Sequence, residues 1–121
     1  MSKLTPVLSA NWDEKDSFTF EGYKRNGGYN AVAKALSMEP DAVISMIKDS
    51  GLRGRGGAGF PTGSKWGFIP QGDNKEHYLV VNADESEPGT CKDRDILRYE
   101  AHKLIEGSLL SSYAIRSHTC Y

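Results

Sequence analysis

Cysteine is scarce in this 121-residue chain, and the two that occur form no pattern. Cys91 and Cys120 stand 29 positions apart without a CxxC partner, so neither a disulfide framework nor a zinc site is indicated. Their expected role is as small packing residues in a reducing compartment. Long apolar runs are missing as well. None approaches the about 20 residues that cross a bilayer, and Met1-Ser2-Lys3-Leu4-Thr5-Pro6 lacks the apolar centre of a signal peptide. A cytoplasmic chain with no direct membrane insertion is therefore expected. Nor does charge of one sign accumulate: 15 basic side chains face 16 acidic ones, for a net charge of −1, which removes the basic footprint of a nucleic-acid binder. His77, His102 and His118 share no metal-ligand spacing, and no Ser-His-Asp or Cys-His arrangement can be drawn. No metal site and no catalytic side chain are expected.

With 38% apolar residues and nearly balanced charge, the chain lacks the signature of disorder, and its length suits one small domain. Residues 1–25 show no sustained periodicity and read as an irregular arm, leaving 26–121 as an α/β domain. Tyr29, Val32, Ala33 and Leu36 follow i, i+3, i+4, i+7, the spacing of one helix face. Pro40 fits the first turn of a second helix with Val43, Ile44 and Ile47 buried, and Gly51 should close it in the left-handed conformation, with Leu52 packing back on the last turn. Beyond the turn at Gly72-Asp73-Asn74, Tyr78-Leu79-Val80-Val81 is an unbroken apolar run, which implies a parallel strand buried on both faces. Leu104, Ile105, Leu109, Leu110, Tyr113 and Ala114 return to helical spacing as a crossover helix. A second strand should begin near Thr119-Cys120-Tyr121. The expectation is an incomplete parallel sheet, with the chain forming the front part of a longer α/β protein.

Glycine is what the sequence has in excess: six of its 13 fall between Gly51 and Gly63. Gly54, Gly56 and Gly59 match GxGxxG, yet a helix rather than a strand precedes them, so the usual dinucleotide fingerprint fails. A P-loop fails too, because Lys65 follows Ser64 and precedes Trp66. What survives is simpler physics. Bare backbone amides can converge on an anion, with Arg53, Arg55 and Lys65 adding positive charge. A flexible surface loop is the bland alternative, but Phe60, Pro61, Trp66 and Phe68 are large rigid groups that linkers avoid. Planar rings beside a phosphate cradle suit a nucleotide or flavin, with core packing the alternative for Phe60, Trp66 and Phe68 and the preferred reading for Trp66. The single Arg55-Gly56-Gly57, without repeats, gives little support to RNA binding.

The second constellation is Asn82-Ala83-Asp84-Glu85-Ser86-Glu87-Pro88-Gly89, at the carboxyl end of the expected strand, where open α/β sheets bind ligands. Its acceptors suit ribose or ribityl hydroxyls and a ring N–H. A solvated turn or a helix N-terminal cap is the alternative, and a divalent metal lacks a fourth oxygen ligand at telling spacing.

These two motifs, from Gly51-Leu52-Arg53-Gly54 through Lys65-Trp66 and from Asn82 through Lys92-Asp93, closely resemble the flavin-binding subunit of respiratory complex I. Related diaphorase subunits occur in NAD-linked hydrogenases and formate dehydrogenases. The resemblance runs from about Phe18 to Tyr121. It implies an N-terminal portion of an NADH:quinone oxidoreductase flavoprotein subunit with a Rossmann-like sheet. Hydride would pass from NADH to FMN, and electrons on to iron–sulfur clusters and quinone. By resemblance, Gly54, Arg55, Gly56, Gly57, Gly59 and Lys65 form the FMN cradle, with Asn82, Asp84, Glu85 and Ser86 also on the flavin. Phe60 and Phe68 are implied as a clamp on the adenine of NADH, with Glu87 on the dinucleotide. The family's [4Fe-4S] ligands are absent from this chain, and Cys91 and Cys120 do not match them. Partners implied are neighbouring iron–sulfur subunits, on the cytoplasmic side of the inner membrane. A truncated nucleotide-binding module without activity is the competing expectation.

Overall fold

The computed structural model describes residues 5–121, so the first four residues of the expected arm lie outside the described residues. Six helices and a pair of short strands follow in the order α1 (Phe20–Arg25), α2 (Asn30–Leu36), α3 (Pro40–Asp49), α4 (Thr62–Trp66), β1 (Tyr78–Leu79), α5 (Lys92–Tyr99), α6 (Ala101–Ile115), β2 (Thr119–Cys120). The strands are parallel, with Tyr78 opposite Thr119 and Leu79 opposite Cys120. Pairing runs on through Tyr121 N–H to Leu79 O (2.9 Å) and Val81 N–H to Tyr121 O (2.7 Å). A parallel pair needs a long crossover, and the 15-residue α6 lies in the one between these strands. The α/β expectation holds at this level: helices and a small parallel sheet.

The chain divides into two compact units, residues 5–30 with Asn82–Gly107, and Ala31–Val81 with Ser108–Tyr121. In the second unit the core is Ala35 of α2, Val43 and Ile44 of α3, and Ala114 of α6, with Met38, Trp66, Leu110 and Tyr113 packed around it. Tyr113 Oη donates to Met38 O at 2.7 Å, which fixes the turn between α2 and α3 against α6. Helix α3 follows its sequence signals: Pro40 opens it, Val43 and Ile44 are buried, and Gly51 at φ 68° takes the left-handed conformation just past its end. Leu52 does not pack back as expected. It is 46% exposed, and its carbonyl accepts from Thr62 N–H instead.

Helix α2 presents a different face from the one expected. Tyr29 lies outside it at φ 65°, Ala33 and Leu36 are exposed, and Ala35 is the buried residue. The apolar spacing starts on a side chain that belongs to another unit's packing. The strand expectation also needs correction: Tyr78 and Val80 are exposed while Leu79 and Val81 are half-buried, so within this chain only one face is covered.

In the first unit, α1 lies within the stretch expected to be irregular. Thr19 caps it, its Oγ1 accepting from Gly22 N–H at 3.0 Å, which a helix of only six residues needs. Tyr23 Oη donates to the buried Glu106 carboxylate, and Tyr29 Oη meets His102 Nδ1 at 2.7 Å. His102 and Glu106 stand one turn apart on α6, so α1 and the turn after it are pinned to one helical face. Phe20, Tyr23, Tyr29 and His102 form an aromatic cluster, the Tyr23 and His102 rings stacked at 5.8 Å. Glu100 is buried with Lys103 Nζ at 3.2 Å to balance its charge. Tyr23 titrates above the ordinary tyrosine range, chiefly because burial disfavours the phenolate and then because Glu106 accepts its proton.

Neither cysteine packs in a core: both are free and exposed. A thiol reagent should therefore titrate two groups per chain in native buffer, without denaturant. Fewer than two would contradict this arrangement.

Candidate functional site

The glycine-rich loop is closed at its base like a hairpin. Arg53 bridges Pro61 in antiparallel fashion, Gly54 N–H donates to Phe60 O at 2.8 Å, and Thr62 N–H donates to Leu52 O at 2.9 Å. Between these ties the chain must reverse within a few residues, and it does so with Gly57 at φ 118° and Gly59 at φ 61°. Those two positions demand glycine on conformation alone. Gly54 and Gly56 adopt no such conformation, and a Cβ at Gly56 would meet nothing within 4 Å. At Gly56, then, the missing side chain leaves room for something outside the chain.

The loop borders a hollow of about 880 Å³, within the range of ligand sites. Gly54, Gly56 and Gly59 line one side, Lys65 and Trp66 of α4 another, and Phe60 and Phe68 flank it. Tyr78 and Val80, read from sequence as part of a buried strand, line the hollow instead. The unbroken apolar run carries that signal, but burial and ligand contact select the same residues. Of the predicted cradle, Gly54, Gly56, Gly59 and Lys65 share this hollow with Phe60 and Phe68. Arg55 and Gly57 occupy the exposed tip of the loop. The Phe60 and Phe68 rings lie 6.0 Å apart at 53°, an aromatic contact that leaves both largely exposed, at 48% and 70%. Trp66 packs against the core, which matches the packing alternative.

Gly63 sets the position of α4. It is buried, and an added Cβ would stand 2.5 Å from the backbone nitrogen of Lys48. Only hydrogen at this position lets α4, with Lys65 and Trp66, lie against α3.

In the other unit, the turn at 82–87 is a self-contained hydrogen-bonded structure. Asn82 Oδ1 accepts from Asp84 N–H at 2.9 Å, and Ser86 Oγ donates to the Asp84 carboxylate at 2.6 and 2.7 Å. Glu85 Oε2 accepts from Arg94 N–H at 3.2 Å in the first turn of α5, as the helix-capping alternative requires. Helix α5 itself has no buried residue. Its first-turn Asp93 and Asp95, with the Glu85 cap, suit its N-terminal dipole. Glu87 is exposed, and its carbonyl accepts from Thr90 Oγ1 at 2.7 Å. Among the described residues no group of three His, Cys, Asp or Glu could hold a metal ion, and no helix is long and apolar enough to cross a membrane.

A loop built from bare amides beside a lysine, bordering a hollow with exposed aromatic walls, is the equipment of a nucleotide- or flavin-binding protein. The chain belongs to the Nuo51 FMN-binding domain family, whose model matches residues 47–121. It is 65% identical over 114 residues to the F subunit of the NADH-quinone oxidoreductase of Streptomyces coelicolor, covering 94% of this chain and 25% of that protein. The corresponding protein of Mycobacterium tuberculosis is 59% identical over 125 residues, with 98% and 28% covered. That of Rickettsia bellii is 52% identical over 121 residues, with 100% and 29% covered. The chain thus spans between a quarter and three tenths of the length of these relatives.

Proposed function

We propose that this chain is part of an NADH-oxidising flavoprotein subunit of the complex I type, and that its glycine loop holds the phosphate end of FMN. The carrying observation is the hollow, where Gly56 offers backbone without a side chain and Lys65 supplies a cation. The donor set fits the group: amides and an ammonium for an anion, and apolar walls for a planar ring. Hydride acceptance from NADH and one-electron release toward iron–sulfur clusters and quinone is the chemistry FMN supplies when bound. The chain's own residues bind and orient. Gly54, Arg55, Gly56, Gly57, Gly59 and Lys65 take the phosphate side, while Phe60 and Phe68 flank the adenine of NADH. Asn82, Asp84, Glu85 and Ser86 offer acceptors to flavin hydroxyls and a ring N–H, and Glu87 contacts the dinucleotide. No side chain acts as acid or base, since holding the reacting rings in register is what the protein contributes. The parallel pair β1 and β2 is the start of a Rossmann-like sheet, and the subunit works beside iron–sulfur partners on the cytoplasmic face of the inner membrane.

Titrating FMN with the chain tests this. Flavin fluorescence should be quenched to saturation, and Gly56→Ala should weaken binding about tenfold by blocking backbone approach, because that position has neither strained φ nor a crowding neighbour. Absence of quenching at tens of micromolar would overturn the cradle.

A further inference from the structure

The spacing of cations in the sequence suggests that Arg53 lends its charge to a bound anion, but its side chain turns back on the loop. Its Nε–H donates to Gly59 O at 2.6 Å, while its backbone forms the bridge to Pro61. Gly59 is one of the two left-handed positions, so its carbonyl direction is set by an unusual backbone conformation that the guanidinium holds in place. The two amide ties at the loop's base, Gly54 to Phe60 and Thr62 to Leu52, flank this contact. A Cβ on Gly59 would sit 3.6 Å from Arg53 Nε, which shows how closely the side chain lies along the loop.

We infer that Arg53 is a positioning residue: it braces the glycine loop through the Gly59 carbonyl, and so fixes the amides of residues 54–58 before any ligand arrives. This rests on the reading of the loop as a flavin-phosphate cradle. A fixed loop does not lose conformational freedom on binding, so the brace raises affinity without touching the ligand.

Two near-isosteric variants separate bracing from charge. Glutamine places its amide nitrogen where arginine has Nε, keeping the donor and deleting the charge. Methionine places a methyl group there and deletes both. In the ligand-free chain, Arg53→Met should speed hydrogen exchange at Gly54 and Thr62 N–H about tenfold, and Arg53→Gln should restore protection. FMN affinity should follow the same order, falling about five- to tenfold in Arg53→Met and staying within about twofold of wild type in Arg53→Gln. Unchanged exchange in Arg53→Met overturns the brace. So does an Arg53→Gln variant that regains protection yet binds FMN as poorly as Arg53→Met, since charge on the ligand would then be the role. If the unaltered chain fails to quench FMN, the flavin reading falls by itself, and the brace stands or falls on the exchange rates.

Discussion

Gly63→Ala is expected to lower the midpoint of thermal unfolding by about 10 °C, corresponding to about 2–3 kcal/mol of overpacking. The new methyl group would lie 2.5 Å from the Lys48 backbone nitrogen and 2.9 Å from its Cα. Backbone inside a helix cannot step aside as a side chain can, so α3 and α4 must separate. Lys65 and Trp66 would move with α4, and any ligand affinity that depends on them should fall too. Gly67→Ala is the internal control. There the nearest atom is Lys48 Nζ at 3.2 Å, the free end of a flexible chain, and the expected change is small. Circular dichroism melts of both variants decide the matter, and a Gly63→Ala midpoint within about 2 °C of wild type would rule the packing account out.

Tyr23→Phe should destabilise the chain by about 2 kcal/mol, because the buried Glu106 carboxylate loses its phenol donor. The same substitution should change the alkaline limb of the stability profile. Tyr23 titrates higher in the folded chain than in the unfolded one, so the folded state keeps its proton longer. That contribution is fully present below about pH 10, the ordinary tyrosine value, and is lost as pH rises through the higher folded value. Urea unfolding from pH 8 to 11 should show stability falling above about pH 10 in the wild type, and a shallower fall in Tyr23→Phe. Parallel slopes would mean that this phenol does not control the limb. Tyr29, also raised by burial and then by Glu106, leaves a residual slope in the variant.

The elements legible in the sequence are those whose signals are local. Pro40, the Val43-Ile44 pair and Gly51 delimit α3 without help from elsewhere, and the glycine spacing marks the loop because turns and anion cradles both need bare backbone. Helices α1 and α5, at six and eight residues, are too short for periodicity alone to mark them. Thr19 and Glu85 hold their first turns, and caps are visible only once the helix is. The buried face of α2 is not the one its spacing suggests, because Tyr29 continues the 3.6-residue pattern yet pairs with His102, 73 positions away. Among the site residues, the sequence singles out Gly54, Gly56, Gly59 and Lys65 and places the Arg53 charge near the loop, but it does not show that Arg53 Nε–H donates to Gly59 O. Spacing records that a cation is near a loop, not which atom it faces.

The sequence by itself determined that this chain builds a glycine loop between a capped helix and a parallel strand, since turn chemistry and periodicity depend on near neighbours. Only the tertiary structure decided that Gly63 must have no side chain, that Arg53 serves Gly59, and that Tyr78 and Val80 face the hollow. The first and last depend on groups brought close by folding from distant positions, and the Arg53 contact, spanning only six residues, depends on how the loop turns its side chain, which spacing does not encode.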